Sequence, residues 1–242
     1  MIFVKVAGGV ITTKKPFTVN WTGINTIIKG LQELEEEAVI GHGGGSFSQT
    51  IEAEYEGIRE GFFKIRESMD KLNYIFVSSC VAKGVDAVGF SPNSFAISKG
   101  GTIKKFFFEP IVEASKNYHP IIHRGAVLDT ENLWQVFKVD ELFYELAKHI
   151  KPRKFLIAND HEITSDGEAV NEIADWNFRD VVKGLDETDK QQVMDAARFS
   201  SRYRIEVHIF DGTIPGNIKR AWKFGEGTRV QVIRLPKDLS VL

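Results

Sequence analysis

The order of apolar segments predicts an α/β fold built on a mainly parallel sheet with helices over both faces. Short apolar runs alternate with longer stretches of helical periodicity, and strands separated by helices pair in parallel through crossovers. No internal repeat and no low-complexity linker interrupts that alternation, so residues 1–242 read as one domain. A division near residue 150 would separate two lobes of one unit, about 1–150 and about 151–242. The composition supplies the core such a fold needs. Of the 242 residues 43% are apolar or aromatic, and 18 are Phe, enough to bury a core without disulfide staples.

Residues 2–6 are the first strand. Ile24, Ile27, Ile28, Leu31 and Leu34 then recur at steps of three and four, one face of a helix. Residues 38–40 are a short strand that runs into His42-Gly43-Gly44-Gly45. Two helical stretches follow, about 52–68 and 69–83, before a strand at 87–90 that Ser91-Pro92 stops. Residues 95–108 read as a β-hairpin turning at Lys99-Gly100-Gly101-Thr102. After a short helix, 119–123 is a strand closed by Gly125; 140–150 is helical and 155–158 is a strand. A helix over 189–203 and strands at 205–210 and 228–233 complete the series.

Charge and cysteine content remove several classes of function. Lys and Arg total 31 and Asp and Glu 33, a formal charge of −2, which argues against non-specific nucleic-acid binding and leaves room only for a local basic patch. The single Cys80 excludes an intramolecular disulfide and a cysteine-based zinc cluster, and fits a reducing compartment. No run reaches the ~18 apolar residues of a membrane span, and the first residues lack a signal-peptide layout. The expectation is a soluble cytoplasmic protein that binds neither membrane nor nucleic acid.

In an open α/β sheet, ligands collect at the carboxyl ends of the strands. Two glycine segments lie there: Ala7-Gly8-Gly9 after the first strand, and His42-Gly43-Gly44-Gly45-Ser46 after the second and before a helix. Consecutive glycines let backbone N–H groups approach a phosphate, though one such segment is as readily a tight turn. Neither is a Walker loop or a G-x-G-x-x-G fingerprint. Lys5 sits within an apolar strand, where an ammonium must face an anion or reach water. Lys14 and Lys15 follow the first glycine turn, either closing over the same site or standing as an exposed pair.

Lys5-Val6-Ala7-Gly8-Gly9-Val10-Ile11-Thr12-Thr13-Lys14 resembles the opening of isopentenyl phosphate kinases, a branch of the amino acid kinase superfamily. Ile40-Gly41-His42-Gly43-Gly44-Gly45-Ser46-Phe47 is similar to their second glycine segment. Gly84 to Pro92, Asp140-Glu141, Phe210 to Asn217 and Gly227-Thr228-Arg229-Val230 also follow the family order. The resemblance implies a three-layer αβα sandwich, commonly a homodimer. It implies an enzyme using ATP and Mg2+ to phosphorylate a small phosphorylated substrate, isopentenyl phosphate being the family acceptor. Carried over, Lys5, Gly8, Gly45 and Asp160 would contact ATP, and Lys14 with Lys5 would neutralise the transferring phosphoryl group. Gly44, Gln49 and Gly125 would hold the acceptor phosphate.

The sequence departs from that pattern at several positions. Gln49 stands where the family has an acceptor-binding His, and the family's Gly-Asp falls on Arg124-Gly125. A neutral hydrogen bond contributes about 0.5–1.5 kcal/mol and one to a charged group about 1.5–3, so Gln49 weakens the acceptor site. Asn159 to Ile163 replaces the family's Thr-Asp-Val-Asp-Gly, and the family's later phosphate-binding Lys has only Lys183 and Lys190 nearby. These losses motivate a second reading: a catalytically degraded, nucleotide-binding or assembly subunit. No zinc spacing accompanies His161, Glu162 and Asp166, and no Gly-x-Ser-x-Gly context surrounds Ser46. His119 and His123 share one side of their strand, Cys80 reads as packing and residues 33–37 as a solvated charged face.

Overall fold

A computed structural model describes residues 1–55 and 58–235. Its amino-terminal elements are β1 (Ile2–Val6), α1 (Gly8–Ile11), α2 (Trp21–Gln32), β2 (Ala38–His42), a 3-10 turn (Gly45–Phe47), α3 (Gln49–Tyr55) and α4 (Arg59–Ala82). Next come β3 (Ala87–Phe90), α5 (Pro92–Phe95), β4 (Ala96–Lys99), β5 (Thr102–Phe106), α6 (Glu109–Ala114) and β6 (His119–His123). The middle holds β7 (Gly125–Asp129), β8 (Leu133–Phe137), α7 (Val139–Leu146) and β9 (Lys154–Asn159). Then follow β10 (Thr164–Ser165), β11 (Glu168–Ala169), β12 (Glu172–Ala174) and α8 (Phe178–Lys183). The last are α9 (Glu187–Tyr203), β13 (Glu206–Asp211), α10 (Asn217–Phe224) and β14 (Thr228–Gln231).

An eight-stranded sheet in the order β12-β14-β13-β9-β1-β2-β6-β3 forms the middle layer. Every pairing in it is parallel except β13 with β14. Helices cover both faces, so the fold is the expected three-layer αβα sandwich. A four-stranded sheet, β5-β4-β7-β8, stands apart from the main one.

Alternation along β1 assigns each face its helices. Phe3 joins the core under α7 and α9, stacking on Phe143 at 4.7 Å and meeting Phe199 edge-on at 6.3 Å. Ile2, Val4 and Val6 join the opposite core with Ile24, Ile27 and Ile28 of α2 and Phe76 of α4. Each such side chain, wholly buried, stabilises the fold by about 1.5–3 kcal/mol relative to exposure. Lys5 therefore projects to the Phe3 face, at the carboxyl end of a strand paired on both sides.

Two expectations are corrected. The chain does not break near residue 68: Phe62, Ile65, Met69, Leu72, Phe76 and Cys80 maintain one buried stripe through α4. The helical region is instead divided ahead of α4, whose first residue, Arg59, follows an extended Ile58. Gly125 does not merely close β6; it opens β7, which pairs antiparallel with β8. Asp129 organises that hairpin, its carboxylate accepting from the N–H groups of Glu131 and Asn132 at 2.8 Å each. It also accepts from Gly100 and Gly101, which joins the two hairpin turns. Among the described residues, no helix is long and apolar enough to cross a membrane.

Candidate active site

Adjacent parallel strands β1 and β2 deliver the two glycine segments to one place. The Ala7 N–H donates to Ala158 at 2.8 Å, and the Gly43 N–H donates to Val6 at 2.9 Å, so both loops are pinned to strand ends. They then press together: a Cβ on Gly8 would lie 2.2 Å from the Gly45 nitrogen. Gly45 also has φ +48, a conformation that favours glycine. Thr12 clasps the loops, its hydroxyl donating to the Gly8 carbonyl at 2.9 Å and accepting from the Ser46 N–H at 3.2 Å. The N–H groups of Gly8, Gly44 and Gly45 have no hydrogen-bond partner among the described residues. Unpaired N–H groups on converging glycine loops form a concavity suited to an anion.

A cavity of about 270 Å³ beside these loops is lined by Lys5, Gly8, Gly44, Gly45, Gln49, Arg124, Lys138, Asp140 and Gln192, among others. The Lys5 ammonium sits 2.6 Å from one oxygen of Asp140 and 2.8 Å from the other. Both side chains are mostly buried, 12% and 13% exposed, so the pair answers how an apolar strand tolerates this lysine. Asp140 lies in the first turn of α7, where the helix dipole favours a carboxylate. Arg124, directly after β6, donates from Nε to Glu52 of α3 at 2.9 Å and pairs with it through a second guanidinium nitrogen. The cavity thus gathers three cations and several backbone donors around one bound carboxylate.

Of the residues that the resemblance proposed, Lys5, Gly8, Gly44, Gly45 and Gln49 meet in this cavity. Lys14 does not line it; it is exposed on the turn closed by the Thr12–Val19 bridge. Gly125 faces Pro92 and His123 instead, and its neighbour Arg124 lines the cavity. Asp160 follows β9 and packs over Gly9, where an added Cβ would lie 2.1 Å from its Oδ2. Lys183 ends α8, and Lys190 pairs with Glu187 at 3.4 Å; neither lines the cavity. Lys138, Asp140 and Gln192 escaped the sequence reading as site residues. The first two had a signal, a strand end followed at once by an acidic helix start, whereas Gln192 had none.

A second cavity, about 260 Å³, lies by the carboxyl ends of β9 and β13 and is lined by Ile163, Val170, Phe210, Asp211, Asn217 and Thr228, among others. Beside the first-loop end, His161 bridges two carboxylates, Asp160 and Asp189, each at 2.9 Å. Burial opposes charging of the ring, but the hydrogen bonds to Asp160 and Asp189 prevail and raise its pKa above 6.5. Asp189 is 5% exposed, and its burial lifts its own pKa despite that contact. Under the second glycine loop, burial drives the His42 pKa down to about 4, aided by His123 stacked at 5.6 Å. His42 is therefore neutral, with ring nitrogens near the Gly43 carbonyl (3.0 Å) and Asn73 Oδ1 (3.1 Å). Cys80 is a packed thiol whose burial pushes its pKa up to about 12.

Residues 1–211 match the profile of the Amino acid kinase family. The isopentenyl phosphate kinase of Methanocaldococcus jannaschii is 22% identical over 247 residues, covering 91% of this chain and 94% of that protein. The isopentenyl phosphate kinase of Arabidopsis thaliana is 24% identical over 200 residues, covering 73% of this chain and 60% of its own length. Among solved structures, an isopentenyl phosphate kinase superposes with a TM-score of 0.81 at 22% identity, covering 96% of this chain and all (100%) of that one. A carbamate kinase from Giardia lamblia bound to AMP-PNP gives 0.70 at 13% identity, covering 96% and 98%. The chain belongs to the amino acid kinase family.

Proposed function

We propose that the protein is an ATP-dependent kinase whose acceptor is a small phosphorylated molecule, isopentenyl phosphate being the acceptor named for its relatives. One observation carries the reading: unpaired N–H groups of Gly8, Gly44 and Gly45 border the same cavity as the Lys5–Asp140 pair. Phosphoryl transfer needs positioning and positive charge more than covalent help, and this cavity offers both.

In this reading the glycine loops and Lys5 hold the phosphate chain of ATP, and the cavity near β9 and β13 receives the nucleoside. Arg124 and Gln49 face the acceptor phosphate, Arg124 exchanging its Glu52 partner for the incoming anion. An acceptor phosphate oxygen forms the new bond to the γ-phosphorus as the γ-phosphorus–bridging-oxygen bond breaks, its electron pair leaving on ADP. That oxygen is already ionised near neutral pH, the second phosphate pKa being about 6, so no general base is needed. Lys5 balances the charge that spreads over the transferring oxygens, and Asp140 fixes the ammonium in place. Mg2+ would arrive on the ATP phosphates and add charge neutralisation, with Asp160 over Gly9 as the carboxylate placed to join its shell.

We extend the reading to a homodimer. Phe63, Tyr74 and Val81 lie eleven and seven residues apart on α4, which places them on one stripe, and all three are exposed. Joined stripes from two copies would cover them; equilibrium sedimentation of wild type and Tyr74→Glu tests this, with a monomeric wild type opposing it. The kinase reading is tested with labelled Mg-ATP and a panel of alkyl and isoprenoid monophosphates, beside calorimetric titration of Mg-ATP. Transfer that Lys5→Ala abolishes supports it, whereas tight binding without transfer supports the non-catalytic subunit.

A further inference from the structure

Gln192 occupies a place in the site that its neighbours make informative. On α9, Phe199 packs against Phe3, and Gln192 lies seven residues earlier on the same helix. At about 1.5 Å per residue, that is some 10 Å towards the end of the sheet where Lys5 stands. Seven residues is nearly two helical turns, so both side chains face the sheet. Gln192 accordingly lines the cavity with Lys5, Asp140 and the glycine loops.

Its side-chain nitrogen Nε2 is buried and has no hydrogen-bond partner among the described residues. The adjacent Gln191 differs: its Nε2 donates to Asp195 at 3.0 Å. A buried amide N–H left unpaired costs free energy, and a ligand, an ion or an ordered water is what completes such a group. The surroundings fix what that ligand atom must be. Lys5 and Lys138 are cations, the glycine N–H groups are donors, and the cavity's Asp140 is taken by Lys5. An amide donor in this company calls for an anionic oxygen acceptor.

We propose that Gln192 Nε2 donates to an oxygen of the transferring phosphoryl group, opposite Lys5. This rests on the kinase reading, but the predicted contact with nucleotide phosphate does not require turnover. Gln192 is then a catalytic residue that supplies a neutral donor on the α9 side, while charge comes from the β1 side. A neutral donor on one flank makes the γ-phosphoryl contact weaker than a cation would, so the position tunes rate.

Gln192→Met keeps the length and packing of the side chain and deletes the donor; Gln192→Lys replaces it with a charged one. Thermal unfolding first establishes that both variants fold. The expected results are a fall of ten-fold or more in kcat for Gln192→Met with the acceptor KM within three-fold. For Gln192→Lys, kcat should equal or exceed that of wild type. Calorimetry with Mg-AMP-PNP and Mg-ADP gives a readout independent of transfer. Gln192→Met should lose at least three-fold in affinity for the triphosphate analogue and keep its affinity for Mg-ADP. Met and Lys variants that behave alike, or a Met variant matching wild type in triphosphate affinity, overturn the proposal. If wild type binds Mg-AMP-PNP but transfers nothing, the kinase reading fails while these titrations still decide the Gln192 contact.

Discussion

The ammonium of Lys5 and the carboxylate of Asp140 meet at 2.6 Å across the carboxyl end of the sheet, joining β1 to the first turn of α7. Lys5 comes from a strand paired on both sides and Asp140 from a helix whose dipole favours its charge, so each holds the other where phosphates would gather. Asp140→Asn leaves a mostly buried ammonium without a counter-charge. Unfolding measurements on the ligand-free protein should show a loss of about 3 kcal/mol. Mg-ATP should restore more stability to this variant than to wild type, since phosphate supplies the missing charge. Equal ligand-induced shifts in both proteins would contradict the pairing.

Arg124 and Glu52 form a second pair with a different consequence. If the acceptor takes Arg124 from Glu52, Arg124→Ala should raise the acceptor KM about ten-fold and leave the ATP KM within two-fold. Glu52→Gln removes the competitor and should lower the acceptor KM. Steady-state kinetics with each substrate varied in turn separates the effects, and a change confined to the ATP KM would place Arg124 on the wrong side of the site.

Gly8 is required by contact with backbone. Its hypothetical Cβ would meet the Gly45 nitrogen at 2.2 Å, and neither atom can rotate away. Gly8→Ala should therefore separate the loops, costing about 1–3 kcal/mol in denaturant unfolding and weakening Mg-ATP binding together. Gly101→Ala is the control for glycine as such. Its φ of +76 is strained for alanine, but no atom of the described residues lies within 4 Å of its Cβ position, so nucleotide affinity should be unchanged.

His42 sets an acid limit. Unfolded, it takes a proton near 6.5; folded, burial and His123 delay protonation to about 4. The unfolded state thus binds more protons between these values, and stability falls as pH drops from 6.5 to 4, by about 3 kcal/mol in all. Below pH 4 this group adds no further loss. His123, Asn73 and the Gly43 carbonyl are its immediate neighbours, and beyond them Asp70 Oδ1 stands 3.3 Å from His123 Nε2. Urea unfolding across this range should show a steeper pH dependence for wild type than for His42→Gln; parallel curves would assign the loss to other groups.

The glycine loops and Lys5 were legible because their chemistry is local: a strand, then glycines, within a few residues. Asp140, Arg124 and Gln192 reach the same cavity from elements 119 to 187 residues after Lys5, and only the sheet order brings them together. Lys14 stands exposed outside the cavity lining, since sequence proximity to a glycine turn does not say which way the following loop leads. The β7–β8 hairpin was hidden because Gly125 reads equally as a stop or a start. Its real determinant is Asp129, whose four backbone donors come from two separate turns. The division of the helical region followed from no local signal at residue 68, where the buried stripe of α4 continues unbroken.

Phosphorus NMR of the protein with Mg-ATP and isopentenyl phosphate tests the central claim most directly. The predicted result is replacement of the acceptor monophosphate resonance by a diphosphate pair as ATP becomes ADP, in wild type and not in Lys5→Met. An unchanged acceptor resonance with ATP demonstrably bound, or equal conversion by Lys5→Met, would contradict it.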